Sequence, residues 1–354
     1  MFLGDIWWNQ LPDSIHFYDS LKAELSAGMN VIYICKNPLP WLSSLYNKVK
    51  ESLGEISSTK TLEHIRNENG CAPGKIILKK FCTDEIQANY WPGQSYAEYL
   101  ASLDVTALNN KIIWVENIND AATAGSWIDF IKTYNKKRPE GVENNQRAIF
   151  VLGCSGDYRL DVNKDYITTC TVPFDAFDKY MFCAMNTSDI KCSYYLKQYI
   201  AELAFNMGGD NLELCGELAI KGEELITTPN EIYKQVFQYF GKHPSEYKKD
   251  EILKSCIRVA QMKILFPVLE EKRLELIKKY REDLLCLLPV QDSLGEFVSI
   301  PENLEIGTLH HLYCRHNFRM DPKDQNSLFK YREIRNCIAH NDLVPANDMI
   351  FLLR

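Results

Sequence analysis

The first 180 or so residues alternate short apolar runs with helix-like segments, and this alternation constrains the fold more than any other feature of the chain. The apolar runs are rich in Ile and Val and span residues 30–35, 75–82, 111–118, 147–153 and 166–172. Continuous apolar runs of this length are typical of strands buried on both faces of a parallel sheet. The intervening crossover helices are predicted at residues 14–27, 39–52 and 121–136. The sequence therefore predicts an open, mostly parallel α/β sheet with flanking helices.

The rest of the chain is helical in pattern. Pro173 and Phe174 close the last predicted strand, and apolar residues at helical spacing then predict helices over 189–207, 212–225, 229–240, 250–288, 304–316, 325–340 and 345–353. Pro267 leaves open whether 250–288 is one long helix or two in tandem. The last four segments form a helical bundle of typical size. The predicted parts are an α/β domain at 1–185, a helical connector at 186–244 and a four-helix bundle at 245–354.

Composition and charge exclude several classes of protein. The chain has 40 Lys and Arg against 47 Asp and Glu, so a bulk electrostatic grip on nucleic acid or on an anionic membrane is not indicated. No stretch approaches about 18 consecutive apolar residues, and residues 1–8 do not have the pattern of a secretory signal, so no membrane partner is expected. The 12 cysteines form no C-x-x-C pair and predict reduced thiols in a cytoplasmic protein.

The stretch 331–342 carries the most informative motif. It reads Y-R-E-I-R-N-C-I-A-H-N-D, in which Arg335, Asn336 and His340 fit the pattern R-N-x-x-x-H. The motif and its flanking residues lie late in the predicted bundle and resemble the signature of HEPN domains, a superfamily of helical-bundle domains that includes many metal-independent ribonucleases. The resemblance covers roughly residues 246–354. It implies a HEPN-like bundle, RNA as the substrate, and neither a metal nor another cofactor.

By this resemblance, three residues would form the catalytic site. His340 would be the general acid or base at a ribose 2′-hydroxyl or at the leaving oxygen, work that suits imidazole because its ordinary pKa lies near neutral pH. Arg335 would bind the scissile phosphate through its permanently charged guanidinium. Asn336 would position His340 or the RNA backbone. The family's working site usually lies between two such domains, which implies a homodimer or a pairing with another HEPN protein.

Helix geometry places a constraint on this motif. Residues five apart on a helix point about 140° apart, so Arg335 and His340 cannot share one stripe of a straight helix. Asn341, Asp342 and Pro345 predict that the helix ends near His340. A bend, the reach of the long arginine side chain or a second copy of the domain could also complete the cleft.

Further polar side chains near the motif are candidates for RNA contact. They are His311, Arg315 and Arg332. Because residues 245–354 contain 17 basic and 17 acidic residues, any RNA site there must be a local patch. The spacing of His310, Cys314 and His316 is also compatible with zinc, but no second ligand pair has a recognisable spacing. Helix packing is therefore favoured for these residues, and no metal site is predicted.

The residues that follow the first predicted strand indicate whether the chain has a nucleotide site of the P-loop type. P-loop NTPases carry G-x-x-x-x-G-K-[ST] there, whereas this chain has K-N-P-L-P-W at 36–41, without glycine and with two prolines that lack amide donors. Two later strands nevertheless resemble that family, since KIIWVEN places Glu116 where a Walker B acid would stand and RAIFVLGCSG resembles a sensor strand. The domain therefore resembles a degenerate P-loop NTPase. Glu116 is either a weak Walker B remnant or an ordinary strand-end carboxylate, and no nucleotide-binding residues are predicted.

These features predict a metal-independent HEPN-type endoribonuclease, acting as a toxin or in anti-phage defence. Its control is expected from the N-terminal domain or from a regulatory protein partner. The alternative is a non-catalytic interaction or regulatory subunit that uses the bundle for dimerisation or partner docking. The two functions differ in whether Arg335 and His340 converge on an open, electropositive cleft or are tied into buried contacts. An active nucleotide hydrolase is disfavoured by the missing glycine-lysine loop.

Overall fold

The structure is a computed structural model. In it the chain forms two compact units, Met1–Asp178 and Lys179–Arg354. We call them the N-terminal unit and the C-terminal unit. The structure describes residues 2–103, 107–137, 146–160, 162, 166–172, 174–240, 244–291, 295–315 and 318–354. Within these residues, every helix is too short or too polar to cross a bilayer.

The N-terminal unit is built on a five-stranded, wholly parallel sheet. Its strands are β1 (Asn30–Cys35), β2 (Thr61–Arg66), β3 (Lys111–Ile118), β4 (Ile149–Ser155) and β5 (Ile167–Thr171). They lie in the order β2-β3-β4-β1-β5, with parallel pairing throughout. The central strands β3 and β4 are buried along most of their length, as continuous apolar runs require. The prediction of a mostly parallel α/β sheet is confirmed.

Helices flank the sheet and supply much of its apolar cover. They are α1 (Leu3–Gln10), α2 (Pro12–Ser26), α3 (Leu42–Glu51), α4 (Leu53–Ile56), α5 (Pro73–Phe81), α6 (Asp84–Ala88), α7 (Tyr96–Ser102) and α8 (Ala121–Lys137). Helix α9 (Ala176–Asn186) follows the last strand and continues into the C-terminal unit. Trp7 and Trp8 of α1 are almost wholly buried and pack edge-on against Phe174, which follows the last strand. Edge-to-face aromatic pairs of this kind add about 0.5–1.5 kcal/mol beyond the area they bury.

The prediction of a strand over 75–82 is wrong, because this segment is helix α5. Pro73 occupies its first turn, where the missing N–H costs no helical hydrogen bond. Ile76 and Ile77 are buried while Lys79 and Lys80 are exposed, which gives one apolar and one charged face. Short apolar runs fit a strand or a buried helix face equally well, so periodicity alone could not separate them.

The strand that the sequence did not reveal is β2. It lies at one edge of the sheet, and within the described part of the chain it pairs only with β3. Its sequence, TLEHIR, buries Leu62 and Ile65 but also carries charged and polar side chains. Edge strands often carry such residues because they discourage pairing with another chain. Strand β2 therefore lacks the continuous apolar run from which the other strands were predicted.

The C-terminal unit is almost entirely helical. After α9, which begins before Lys179, its helices are α10 (Tyr194–Gly208), α11 (Leu212–Ala219), α12 (Glu223–Thr227), α13 (Pro229–Tyr239), α14 (Asp250–Lys279), α15 (Arg281–Leu287), α16 (Ile306–Cys314), α17 (Pro322–Ala339) and α18 (Ala346–Leu353). A short antiparallel pair, β6 (Val290–Gln291) and β7 (Phe297–Val298), lies between α15 and α16. The sequence predicted helix for each of these segments except the short strand pair.

One hydrophobic core joins the helices of the C-terminal unit. Residues of α10–α13, the segment expected as a connector, share this core with residues of α14–α18. Helix α14 is its longest element and continues unbroken through Pro267. A second helix, α15, begins only after Tyr280. Helix α14 thus forms a continuous face against which α10, α17 and α18 pack.

Candidate functional site

The R-N-x-x-x-H motif lies on the last turns of α17 and on the residue that ends it. The N–H of Asn341 donates to the carbonyl of Ile338 at 3.2 Å, and the N–H of Asp342 donates to the carbonyl of Cys337 at 2.8 Å. These two bonds form a Schellman motif with Asn341 in the left-handed conformation, at a φ of 60°. Helix α17 therefore stops at Ala339, which confirms the predicted end near His340.

Replacing Asn341 with alanine is expected to lower the free energy of unfolding by about 1 kcal/mol, because a Cβ-bearing residue without a polar side chain disfavours positive φ. Urea unfolding of the full-length protein measures this change. The matched variant Asn341→Gly satisfies the same backbone conformation and should stay within about 0.5 kcal/mol of the parent. Equal losses in both variants would show that the asparagine side chain, rather than its backbone conformation, stabilises the helix end.

The three motif side chains are all accessible at this helix end. Arg335 is exposed, and its Nη2 lies 3.3 Å from Oε2 of Glu305, which is also exposed. Its Nη1 approaches Oδ1 of the half-buried Asn336 at 3.5 Å. His340 is exposed, and within the described part of the chain its imidazole has no hydrogen-bond or ion-pair partner. Among the described residues, none of the three side chains forms a buried hydrogen bond or ion pair.

Arg335 borders an open cleft of about 550 Å³ in the C-terminal unit. The walls come from α14, from the turn Pro301–Asn303, from the start of α16 and from the end of α17. Apolar side chains form its floor: Phe266, Leu269, Ile306, Ile338 and Ala339. His340 is not part of this lining. Within one copy of the chain, Arg335 therefore borders the cleft and His340 does not.

The cleft carries mixed charge rather than a positive potential. Three glutamates and two arginines line it: Glu270, Glu302, Glu305, Arg273 and Arg335. Arg273 is held by the carboxylate of Glu270 and donates through Nη1 to the carbonyl oxygens of Glu302 and Leu304, each at 2.7 Å. Among the residues that the structure describes, Arg335 has a single ionic partner, which is exposed, and such pairs are worth at most about 1 kcal/mol. Arg335 is thus the better placed of the two to bind an incoming anion.

The other RNA-binding candidates lie on α16 and α17. His311 and Arg315 are exposed and four residues apart on or just after α16, and Arg332 is exposed on α17. Burial, followed by the charges of Arg332 and His311, lowers the pKa of His310. The three candidate side chains are therefore exposed on two helices, α16 and α17, that pack against each other.

The residues weighed as zinc ligands are only partly brought together. Both ring nitrogens of His310 lie 3.7 Å from Sγ of Cys314, and its ring packs edge-on against Phe329 at 4.6 Å. His316 lies outside the described residues. Across the ranges that the structure describes, no third metal-ligating side chain joins His310 and Cys314. This contact with Phe329 is the packing role that the sequence favoured for His310.

In the N-terminal unit, the loop after β1 stands where ligands bind to open α/β sheets. The connection from β1 runs to β2 at one edge of the sheet, and the connection from β4 runs to β5 at the opposite edge. In open α/β sheets a ligand crevice is expected where neighbouring strands connect in opposite directions, here between the carboxyl ends of β1 and β4. There the N–H of Gly156 donates to the carbonyl of Cys35 at 2.9 Å. Nε1 of Trp8 donates to the carbonyl of Pro40 at 3.0 Å. The carbonyl of Trp41, next in the chain, accepts from the same buried indole at 3.2 Å.

Glu116 is paired with a neighbouring strand. Its Oε2 lies 3.0 Å from Nε2 of His64 on β2, and the side chain of Glu116 is 27% exposed. Its register partner across the β2–β3 pair is Arg66. Glu116 therefore contacts a histidine of the edge strand β2.

The sequence did not connect two neighbours of the site with the motif. Glu305, which pairs with Arg335, and Arg273, which holds the turn Pro301–Asn303, lie far from the motif along the chain. Each is a charged residue of a kind that is common on protein surfaces, so no local sequence pattern marks it as part of a site. Only the packing of α14 and α16 against α17 brings them to the cleft.

Comparison with known proteins does not identify a relative. No family model matches the chain, and no curated protein matches it. Among solved structures, a chain in the "Structure of Drosophila ORC bound to DNA" is similar at a TM-score of 0.39 and 10% identity, covering 99% of this chain and 92% of that one. A similarity at this TM-score supports no conclusion about fold family or function.

Proposed function

We propose that this chain is a metal-independent endoribonuclease of the HEPN type, with Arg335, Asn336 and His340 as its catalytic residues. The observation that carries the proposal is the exposure of Arg335 and His340 at the end of α17, beside the half-buried Asn336, with Arg335 at the border of an open cleft. Structural arginines and histidines are usually consumed by hydrogen bonds or ion pairs. Arg335 instead has one weak ionic partner, and His340 has no side-chain partner within the described residues.

The chemistry of this reaction requires no metal. The ribose 2′-oxygen attacks the adjacent phosphorus, the bond from phosphorus to the 5′-oxygen breaks, and the products are a 2′,3′-cyclic phosphate and a 5′-hydroxyl. One group must take the proton of the 2′-hydroxyl, and one must give a proton to the leaving 5′-oxygen. His340 serves as such a group. Arg335 offsets the charge that develops on the phosphate oxygens.

A second copy of the chain would complete the site. Within one copy, Arg335 lines the cleft while His340 lies outside its lining. Two copies that face each other across the α17 ends would bring two imidazoles and two guanidiniums to one phosphate and supply both proton transfers. We therefore propose a homodimer, or a pairing with another HEPN protein, as the active form. Asn336, half-buried beside Arg335, would fix the orientation of this group.

The finer identity of both units belongs to the same proposal. The C-terminal unit would be a HEPN-like bundle, and the N-terminal unit a degenerate P-loop NTPase-like domain whose β1 loop no longer cradles phosphate. Such a domain, or a regulatory protein partner, would lower the activity of the nuclease until a trigger is present, and the purified full-length protein would keep a basal level of cleavage. An RNA-cleaving toxin or anti-phage effector needs control of this kind because free activity would damage its own cell.

The test of the proposal is cleavage of RNA by the full-length protein in excess EDTA, with purified tRNA and total RNA as substrates. The parent should cleave, and Arg335→Ala should lose most of the activity because the developing phosphate charge is no longer offset. The matched control is Arg319→Ala, another exposed arginine of the C-terminal unit, which should cleave like the parent. Intact RNA with a folded, dimeric parent, or equal cleavage by both variants, would contradict the proposal.

A prediction specific to this cleft concerns Glu305. Glu305→Gln should strengthen RNA binding about two- to fivefold, because it frees Arg335 from an exposed ion pair and removes a negative charge beside the phosphate. Fluorescence anisotropy with labelled tRNA measures the affinity. Glu333→Gln is the control, since Glu333 lies on the same helix as Arg335 but pairs with Lys330. Unchanged or weaker binding by Glu305→Gln would show that Arg335 does not meet the RNA.

A second candidate function is a non-catalytic subunit that docks a partner through the bundle. The observation that favours it is the mixed charge of the cleft, where three glutamates accompany two arginines above an apolar floor. Such a surface suits a peptide or protein segment better than an RNA backbone, which prefers uncompensated positive charge. The cleavage test separates the two functions, because a docking subunit would leave RNA intact in every sample.

A further inference from the structure

Three aspartates of the N-terminal unit converge where helices α2 and α9 begin. One carboxylate oxygen from each of Asp13, Asp175 and Asp178 lies within 4.8 Å of the other two. Asp13 is in the first turn of α2, and Asp178 is in the first turn of α9. Within the described ranges of the chain, none of the three forms an ion pair with a lysine, an arginine or a histidine. Their mutual repulsion is therefore not offset by a cationic side chain.

Asp178 is the member of this group that most needs a ligand. Its side chain is only 3% exposed, and its Oδ2 atom is buried without a hydrogen-bond partner among the described residues. Burial of an ionised carboxylate without compensation is costly, so such a group normally binds a cation or a proton. The unpaired atom belongs to the same carboxylate that contributes to the three-aspartate group.

The other two carboxylates suit a bound ion by their position. Oδ1 of Asp175 accepts the N–H groups of Phe177 at 2.7 Å and Asp178 at 3.0 Å, which fixes this carboxylate and leaves its second oxygen available. Asp175 is exposed and Asp13 is partly exposed, so an ion could enter from solvent and keep some of its water. The group thus combines a buried anionic end with an open, hydrated end.

The spacing of the oxygens fits a hard divalent cation. Ca²⁺ binds oxygen at about 2.3–2.6 Å and Mg²⁺ at about 2.0–2.1 Å, so ligand oxygens on opposite sides of one ion lie up to about 5 Å apart for Ca²⁺ and about 4 Å apart for Mg²⁺. The three oxygens lie within 4.8 Å of one another, a spacing that one Ca²⁺ ion spans directly, whereas Mg²⁺ requires them to lie within about 4 Å. We propose that Asp13, Asp175 and Asp178 bind one Mg²⁺ or Ca²⁺ ion.

The bound ion would be structural. It would tie the start of α2, which packs against β1 and β5, to the start of α9, which follows the last strand of the sheet. Its effect is therefore expected on the stability of the N-terminal unit. This inference is independent of the RNA chemistry proposed above, which involves residues of the C-terminal unit.

The experiment is thermal unfolding of the full-length protein after removal of metal with EDTA and dialysis. Addition of MgCl2 or CaCl2 to about 100 times the dissociation constant should raise Tm by about 5–10 °C, whereas NaCl at matched ionic strength should not. Calorimetric titration with each salt gives that dissociation constant and shows which ion is preferred. Asp178→Asn and Asp13→Asn should both lose the rise in Tm. Asp84→Asn, which changes an exposed aspartate in the first turn of α6, should keep it.

Two results would overturn the inference. If neither divalent salt raises Tm of the parent beyond the NaCl sample, the carboxyl groups hold a proton instead of an ion. If the rise persists in Asp13→Asn, the ion binds elsewhere. The Asp13 variant decides the matter even where Asp178→Asn fails to fold, since Asp13 is partly exposed and tolerates the isosteric change more readily.

Discussion

Replacing His340 with alanine is expected to reduce RNA cleavage by about 10²–10⁴-fold, the usual contribution of a general acid or base. The loss should appear in the rate at saturating RNA rather than in affinity, because His340 acts on protons in the transition state. The fold should be unaffected, since His340 is exposed and its backbone, not its imidazole, ends α17. Single-turnover cleavage of labelled tRNA measures the rate.

The control for this variant is His16→Ala. His16 is also exposed, but it lies on α2 of the N-terminal unit, so its loss should leave cleavage unchanged. Because excess EDTA would also strip the cation proposed at Asp178, circular dichroism should accompany the assay to show that each sample is folded. Loss of cleavage in both variants, or in neither, would remove His340 from the catalytic site.

Replacing Gln261 with leucine is expected to lower the free energy of unfolding by about 3 kcal/mol. Gln261 is 2% exposed on α14, where its Oε1 accepts the N–H of Val344 and its Nε2 donates to the carbonyl of Val344, each at 2.9 Å. Leucine has a similar volume but leaves two buried backbone groups unpaired, at about 1–3 kcal/mol each. Val344 belongs to the loop between α17 and α18, so this bond pair also holds the chain that leaves His340.

Urea unfolding of the full-length protein measures the effect of Gln261→Leu as a lower midpoint with an unchanged slope. Gln238→Leu is the matched control, since Gln238 is exposed on α13 and its replacement should stay within about 0.5 kcal/mol of the parent. A similar midpoint for both variants would show that the Gln261–Val344 bonds contribute little beyond the packing they accompany.

The sequence predicted the parts of the fold that have strong local patterns. The runs at 30–35 and 111–118 coincide with β1 and β3, because buried central strands are continuous and apolar. The end of α17 was predictable because asparagine next to a helix end favours the left-handed conformation. Edge strand β2 and helix α5 were not predictable, since the first lacks an apolar run and the second imitates a strand.

Contacts between residues that are far apart in the chain could not be predicted from the sequence. The pairing of Arg335 with Glu305 and the bonds of Gln261 to Val344 depend on how α14, α16 and α17 pack together. The same holds for Asp13 and Asp178, which no motif connects. Individual polar residues have no periodic signature. Their partners can be read only once the backbone is placed.

The most direct test of the ribonuclease proposal is the chemistry of the cleaved ends. Purified full-length protein should cut tRNA in excess EDTA and leave a 2′,3′-cyclic phosphate on one fragment and a 5′-hydroxyl on the other, as attack by the ribose 2′-oxygen requires. A substrate with 2′-deoxyribose at the cleavage position should resist, since it lacks the attacking oxygen. Cleavage of that deoxy substrate, products with a 5′-phosphate, or intact RNA with folded and dimeric protein would contradict the account.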